Sequence, residues 1–127
     1  MRYLAIDYGA KRVGLATSDE NGAFAFPFAV LDNSGDLLSE LVKICKENKI
    51  EEIIMGESKN FAQEDNQIMK EIKPFAENLK SKLGLPVHLH PEFLTSLEAE
   101  RVQGKNLMHD ASAAALILKS YLDVKNP

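Results

Sequence analysis

The chain has few of the residues that tie a polypeptide to an oxidising or membrane environment. It contains one cysteine, Cys45, among 127 residues, so an internal disulfide is excluded and a reducing cytoplasm is the expected location. No apolar run approaches the roughly 20 residues that a membrane-spanning helix needs, and the first residues lack the apolar core of a signal peptide. We therefore expect a cytoplasmic protein without a membrane partner, in which Cys45 is a core residue of a helix.

Basic residues are in the minority. Lysine and arginine number 15 against 19 acidic residues, for a net charge of −4. Because proteins that neutralise nucleic-acid phosphates usually carry a basic footprint, the bulk charge argues mildly against such a partner. A local basic patch remains compatible with this charge, and divalent metal would offset part of the acidity.

The sequence shows no linker, internal repeat or low-complexity segment. A chain of this length is typical of one domain and is long enough to bury a core without disulfide or metal support. We expect a single domain over residues 1–123, followed by a frayed C-terminal tail over 124–127.

The hydrophobic pattern predicts an α/β protein. Strands are expected at 3–7, 11–18 and 23–31, with Pro27 placing the third strand at a sheet edge because proline cannot donate to the ladder. A three-stranded meander followed by alternating helices and strands predicts a mixed sheet with helices on both faces. The later predicted elements are a helix from Leu37 to Cys45, a strand at 50–56, a helix through Ile68 and Leu79 that Gly84 ends, a strand at 85–90, and helices at 95–102 and 109–122.

Three carboxylates stand at the ends of predicted elements. Asp7 closes the first strand, Glu92 follows the fifth, and Asp110 opens the last helix. Ligand sites in α/β sheets form at the carboxyl ends of the parallel strands, and clustered carboxylates favour a cation between them. Oxygen ligands select Mg²⁺ or Mn²⁺, and two such ions about 3.5–4 Å apart can promote phosphodiester hydrolysis.

Each carboxylate also has a simpler interpretation. Asp110 is equally explained by the helix dipole, and Glu92 by a solvated loop. Asp7 is harder to explain in this way, because it ends an otherwise buried strand and needs a partner or a metal.

The residues after Asp7 suggest a phosphate contact. Gly9 permits a tight turn with backbone N–H groups near a phosphate, and Lys11 and Arg12 bring positive charge beside the carboxylate. The alternative is an ordinary hairpin with two exposed basic residues.

The histidines are weaker candidates. His88 and His90 form an H-x-H pair that can bind zinc, but the sequence has no cysteine or third histidine at motif spacing. Non-ligand roles are therefore favoured for both. His109, next to Asp110, is an auxiliary candidate that could touch substrate or metal-bound water.

The motif Asp7-x-Gly9-x-Lys11-Arg12-x-Gly14-x-Ala16-x-Ser18-Asp19 resembles the opening motif of the YqgF family. Bacterial members of that family are described as pre-16S rRNA nucleases or as Holliday-junction-resolvase-like proteins. The resemblance continues in order along nearly the whole chain, through Ile53-Ile54-Met55-Gly56, Phe75-Ala76-Glu77-Asn78-Leu79, Leu83-Gly84-Leu85-Pro86-Val87, the block from Glu92 to Arg101, and the block from Asp110 to Asp123.

This resemblance implies a ribonuclease H-like fold with sheet order 3-2-1-4-5, strand 2 antiparallel, and an acidic triad. The triad maps onto Asp7, Glu92 and Asp110, which would hold Mg²⁺ or Mn²⁺ in a two-ion site. The implied partner is nucleic acid, with precursor rRNA favoured over branched DNA, and the protein would be a monomer or a homodimer. The implied phosphate-binding residues are Gly9, Lys11, Arg12, Thr95 and Ser96.

The chain departs from the family pattern in three places. It has Gly56-Glu57-Ser58 where the family usually has Gly-Leu-Pro, and Pro91-Glu92-Phe93 where the family usually has Asp-Glu-Arg. The basic segment before the last helix is shortened to residues 103–108. Absence of an arginine and of basic residues should weaken phosphate binding, so the sequence supports metal binding better than cleavage of a particular substrate.

The sequence is compatible with more than one function. The leading one is a metal-dependent endonuclease acting in maturation of the 16S rRNA precursor 5′ end, with a Holliday junction resolvase as the alternative. A catalytically weak RNA-binding or ribosome-associated module fits the departures. Nucleotide binding of the acetate-kinase, sugar-kinase and actin type starts from a similar Asp-x-Gly turn, but such proteins need two domains and this length supplies one.

Overall fold

The computed structural model describes residues 1–9, 11–57, 69–91 and 109–125. The predicted helix over 95–102 lies outside these ranges. The elements in chain order are β1 (Tyr3–Tyr8), β2 (Arg12–Ser18), β3 (Ala25–Asp32), α1 (Leu37–Glu47), β4 (Glu52–Glu57), α2 (Met69–Leu83), β5 (Val87–Pro91) and α3 (His109–Lys125).

The five strands form one mixed sheet in the order β3-β2-β1-β4-β5. β1 pairs antiparallel with β2 and parallel with β4, and β4 pairs parallel with β5. This confirms the predicted topology of a ribonuclease H-like sheet, including the antiparallel second strand. β3 lies at one edge, as Pro27 indicated.

Helices cover both faces of the sheet. Alternate residues of each strand point to opposite faces, so Leu4 and Ile6 of β1 pack toward α1 and α2, whereas Tyr3 and Ala5 pack toward α3. The α1/α2 side of the core includes Leu37, Leu41, Ile53, Met55, Ile72 and Leu79. The α3 side includes Ala16, Ile54, Ala114, Ile117, Leu118 and Leu122.

The α3 side is built largely from small side chains. Ala5, Ala16 and Ala114 are all fully buried in this cluster. Because alanine extends little beyond the backbone, the helix can lie close to the sheet. The position of the first turn of α3 therefore depends on tight packing at these alanines.

The end of α3 differs from the prediction. The helix continues through Lys125, so residues 124 and 125 are helical rather than part of the frayed tail that we expected from position 124. The Lys125 ammonium lies 5.2 Å from the centre of the Tyr3 ring and 3.7 Å from Glu52 Oε2. These contacts hold the last turn against the sheet.

The single cysteine lies inside the fold. Cys45 is buried in α1, which confirms its place in a helix core, and burial raises the pKa of its thiol to about 11. Among the residues that the structure describes, none of the helices combines the length and apolar character needed to cross a bilayer.

Candidate active site

Asp7 projects onto the face of the sheet that α3 covers. It follows the alternation of Tyr3 and Ala5, which pack against α3, and it is half-buried. Its antiparallel partner on β2 is Gly14. On the other side the last pair between β1 and β4 joins Ile6 to Met55, so Asp7 and Gly56 are each the next residue. Both strand neighbours of Asp7 lack a side chain, which leaves space beside the carboxylate on the sheet.

This position is the edge at which the three parallel strands end. Beyond the Ile6–Met55 pair, Gly56 pairs with His90 and Glu57 with Pro91, the last residue of β5. The carboxyl ends of β1, β4 and β5 therefore meet at one edge, where sites of α/β proteins are built.

Of the other two predicted triad members, the structure describes the backbone position of Asp110 and does not describe Glu92. Asp110 and His109 lie in the first turn of α3, the helix that covers the face of Asp7, but their side chains are outside the described part of the structure. Glu92 is the residue after β5 in the chain and lies outside the described residues, as do Thr95 and Ser96. Their roles stay predictions.

Lys11 and Arg12 follow the turn that leaves Asp7, and both are exposed at the same edge. Gly9 is required in this turn by a close approach of the backbone. A Cβ atom at Gly9 would lie 2.5 Å from the carbonyl oxygen of Arg12, which is closer than nonbonded atoms can lie. The glycine of the motif therefore allows the tight turn after which the two basic residues lead into β2, at the same end of the sheet as Asp7.

We expect Gly9→Ala to destabilise the protein by about 1–3 kcal/mol, because the added methyl group must push the backbone of β2 aside. Urea unfolding measures this change in stability. Gly35→Ala is the matched control, since a Cβ at Gly35 meets no atom within 4 Å, and it should change stability by less than about 0.5 kcal/mol. Equal stability of the two variants would show that the turn does not need glycine.

Sequence reasoning did not single out Asn33, which contacts the turn that follows Asp7. Its side-chain Nδ2 donates a hydrogen bond of 2.8 Å to the carbonyl of Gly9, and its backbone N–H donates one of 2.9 Å to the carbonyl of Lys11. In the sequence, Asn33 belongs to a loop that only offers helix caps. The single signal that could have found it was its place directly after β3, the strand that pairs with Arg12 through Asp32.

The second half of the opening motif has a structural role at the other end of the strands, away from Asp7. The Ser18 hydroxyl accepts a hydrogen bond from the backbone N–H of Tyr3. The Asp19 carboxylate accepts bonds from the N–H groups of Ala23 and Phe24. The N–H of Phe24 is the main cause of the lowered pKa of Asp19. Ser18 and Asp19 therefore stabilise the β2–β3 turn, and only the first half of the motif lies at the end of the sheet that carries Asp7.

His88 and His90 contact the C-terminal half of α3. His88 stacks on Tyr121 with ring centres 5.8 Å apart. His90 meets the same ring edge-on, and its Nε2 lies 3.0 Å from Ser120 Oγ. Burial lowers the pKa of His90, which favours the neutral imidazole. Both histidines thus help to attach β5 to α3.

The described part of this site offers one partly exposed carboxylate, that of Asp7 beside Gly14, and carboxylate oxygens are ligands that hard divalent cations prefer. Among the side chains that the structure describes, no group of three or more histidine, cysteine, aspartate or glutamate residues is close enough to hold a metal ion. Glu92 lies outside the described residues and the side chain of Asp110 is not described, so the ligand set stays a prediction.

Comparison with known sequences identifies the family. Residues 1–124 match the family model RuvX, described as a Holliday junction resolvase. A protein of Maridesulfovibrio salexigens named "Putative pre-16S rRNA nuclease" is 37% identical, over 96% of this chain and 98% of its own length. A protein of the same name from Dictyoglomus turgidum is 35% identical, over 97% and 94%.

Solved structures agree on the fold. Thermus thermophilus RuvC in complex with a Holliday junction substrate matches with a TM-score of 0.68 at 17% identity, over 98% of this chain and 96% of that one. Fowlpox virus resolvase in complex with Holliday junction DNA matches with a TM-score of 0.64 at 10% identity, over the full length of both chains. These similarities establish a resolvase-like fold, and the family match supports a nuclease function. The chain therefore belongs to the RuvX family, which confirms the YqgF resemblance of its opening motif.

Proposed function

We propose that this protein is a divalent-metal-dependent endonuclease that hydrolyses phosphodiester bonds in structured RNA, acting on the 5′ end of the 16S rRNA precursor. The observation that carries this proposal is the place of Asp7. It stands at the carboxyl end of β1, on the face covered by α3, beside a turn with two exposed basic residues. The family match over residues 1–124 supports the same assignment.

The proposed chemistry divides between acidic and basic residues. Asp7, Glu92 and Asp110 would hold two Mg²⁺ or Mn²⁺ ions, which would supply activation of the attacking water and stabilisation of the leaving oxygen. Glu92 is one residue beyond β5, and Asp110 is in the first turn of the covering helix. The end of β1 is a rigid support for Asp7, as a catalytic arrangement requires.

Lys11 and Arg12 would contact the phosphates that flank the scissile bond. They are exposed, at the same edge as Asp7, and follow a turn whose shape Gly9 and Asn33 determine. The two basic residues would allow phosphate binding although the net charge of the protein is −4. Binding depends on the charge near the phosphates rather than on the net charge of the whole protein. A partner with little phosphate, such as a peptide, would gain nothing from this arrangement.

Precursor rRNA is favoured over branched DNA as the substrate, because the sequence relatives and the structural relatives carry different weight. The relatives above 30% identity carry the name of a pre-16S rRNA nuclease. The structures with junction DNA are at most 17% identical in sequence, so they inform on fold and not on substrate. The absence of the usual arginine beside Glu92 and of basic residues before α3 makes a weakly active RNA-binding module the second candidate.

Cleavage assays on two substrates distinguish an RNA nuclease from a junction resolvase and from an RNA-binding module. An end-labelled RNA spanning the 16S precursor 5′ end and a four-way DNA junction are incubated with the protein and Mn²⁺, with EDTA as the control. We expect cleavage of the RNA at a defined position, at least about tenfold faster than any cleavage of the junction, because the substrates differ in shape and 2′-hydroxyl contacts. Faster cleavage of the junction would identify a resolvase. Mn²⁺-independent binding of RNA without cleavage would identify a binding module.

A further inference from the structure

We propose that Asn33 is a positioning residue for the phosphate-binding turn, which it holds by two hydrogen bonds so that Lys11 and Arg12 face the substrate. The inference rests on the function proposed above and adds a residue that no motif contains. Asn33 would not contact the reacting atoms. It would act through the backbone of the turn and through the two basic side chains.

The two bonds attach both ends of the turn to one residue. The Asn33 N–H binds the Lys11 carbonyl at 2.9 Å, which continues the β2–β3 ladder one step beyond the Arg12–Asp32 pair. The Asn33 carboxamide then reaches past that ladder to the Gly9 carbonyl at 2.8 Å. Gly9 and Asn33 are 24 residues apart in the chain, so this bond joins the turn after β1 to the end of β3.

These bonds determine the direction in which the basic side chains leave the turn. A peptide unit is planar, so holding the carbonyls of Gly9 and Lys11 also orients the backbone from which the Lys11 and Arg12 side chains extend. Because a Cβ atom at residue 9 would lie 2.5 Å from the Arg12 carbonyl oxygen, the backbone at Gly9 runs close to β2 and the turn has little freedom to relax. A donor is needed at Asn33, because the group it meets is a carbonyl oxygen that can only accept.

The chain offers a matched control for this residue. Asn48 also donates its Nδ2 to a backbone carbonyl, that of Ile44, at 2.9 Å, and it lies at the end of α1 away from the turn. Asn33→Ala and Asn48→Ala each remove one side-chain-to-backbone hydrogen bond from a half-buried asparagine. If the two variants have similar melting temperatures, a difference in their RNA binding must come from where each asparagine lies in the fold.

The test measures RNA affinity and its salt dependence in both variants. We expect Asn33→Ala to weaken RNA binding about tenfold and to reduce the slope of log Kd against log salt by about 0.7–0.9 for each phosphate that is no longer neutralised. Asn48→Ala should leave both quantities within about twofold of wild type. If Asn33→Ala fails to fold, Asn33→Leu, which keeps nearly the same side-chain shape but has no donor, replaces it in the same comparison.

A double-mutant cycle separates positioning from general stability. If Asn33 acts through the basic residues, Asn33→Ala should have less than about a twofold further effect in a Lys11→Gln/Arg12→Gln background. An unchanged salt slope, or an effect that persists in that background, would overturn the inference. Wild-type protein that fails to bind or cleave RNA would instead contradict the proposed function, so the two failures are distinct.

Discussion

Replacing Asp7 with asparagine is expected to slow Mn²⁺-dependent cleavage by at least about a thousandfold, since metal ions at a phosphodiester contribute several kcal/mol of transition-state stabilisation. The amide has nearly the shape of the carboxylate but lacks its charge and binds a divalent cation weakly. Asp7 is half-buried and lies beside Gly14 rather than at the centre of the core, so the fold should survive the change. Single-turnover cleavage of precursor RNA measures the decrease in rate.

Asp123→Asn is the matched control for that experiment. Asp123 is an exposed carboxylate on α3 that pairs with Lys119 at 3.2 Å, and a surface pair of this kind contributes less than about 1 kcal/mol. The control should cleave at the wild-type rate. A variant at Asp7 that cleaves as fast as the control would show that the activity comes from another site or from a contaminating nuclease.

The second large effect is expected at the contact between α3 and the sheet. Ala114 is fully buried against a cluster that includes Ala5 and Ala16. A leucine there would be overpacked, at a cost of about 1–3 kcal/mol. It would also push away the helix whose first turn carries Asp110, and a displacement of about 1 Å can reduce the rate on the order of a hundredfold. We therefore expect Ala114→Leu to lower both the unfolding free energy and kcat.

Ala23→Leu provides the comparison, because Ala23 is exposed in the β2–β3 turn. Its stability and kcat should stay close to wild type. Urea unfolding and cleavage rates on the same preparations distinguish the outcomes. An Ala114→Leu variant that is less stable but fully active at low temperature would mean that the position of α3 on the sheet does not matter for the chemistry.

The order of elements could be predicted because each signal is local. The alternation in β1 and β2, the proline of β3 and the glycine that ends α2 all act within a few residues. Gly84 has the positive φ of +68° that such a helix end needs. The irregular pairing between β2 and β3 at Leu15–Ala16 and the last turn of α3 were not predictable, because both depend on neighbours distant in the sequence.

In the candidate site, too, features set by neighbouring residues were predictable and features set by distant residues were not. The position of Asp7 at the end of a buried strand was predictable from the strand itself, and its role stays a prediction. The hydrogen bond from the Asn33 side chain was not predictable, because it reaches a carbonyl 24 residues earlier in the chain. The motif also gave no sign that Ser18 and Asp19 stabilise the other end of the strands, since a linear pattern does not state at which end of an antiparallel pair a residue lies.

A Mn²⁺ titration followed by thermal unfolding tests whether Asp7 anchors a divalent-metal site. An ion that binds only the folded protein stabilises it by about 2.7 kcal/mol at a hundred times its Kd, which raises Tm on the order of 10 °C in a domain of this size. We predict such a rise for wild type and for Asp123→Asn, and little or none for Asp7→Asn. No rise in wild type, or an equal rise in Asp7→Asn, would show that Asp7 does not hold a divalent metal ion, and stabilisation by ATP in place of Mn²⁺ would indicate a nucleotide site.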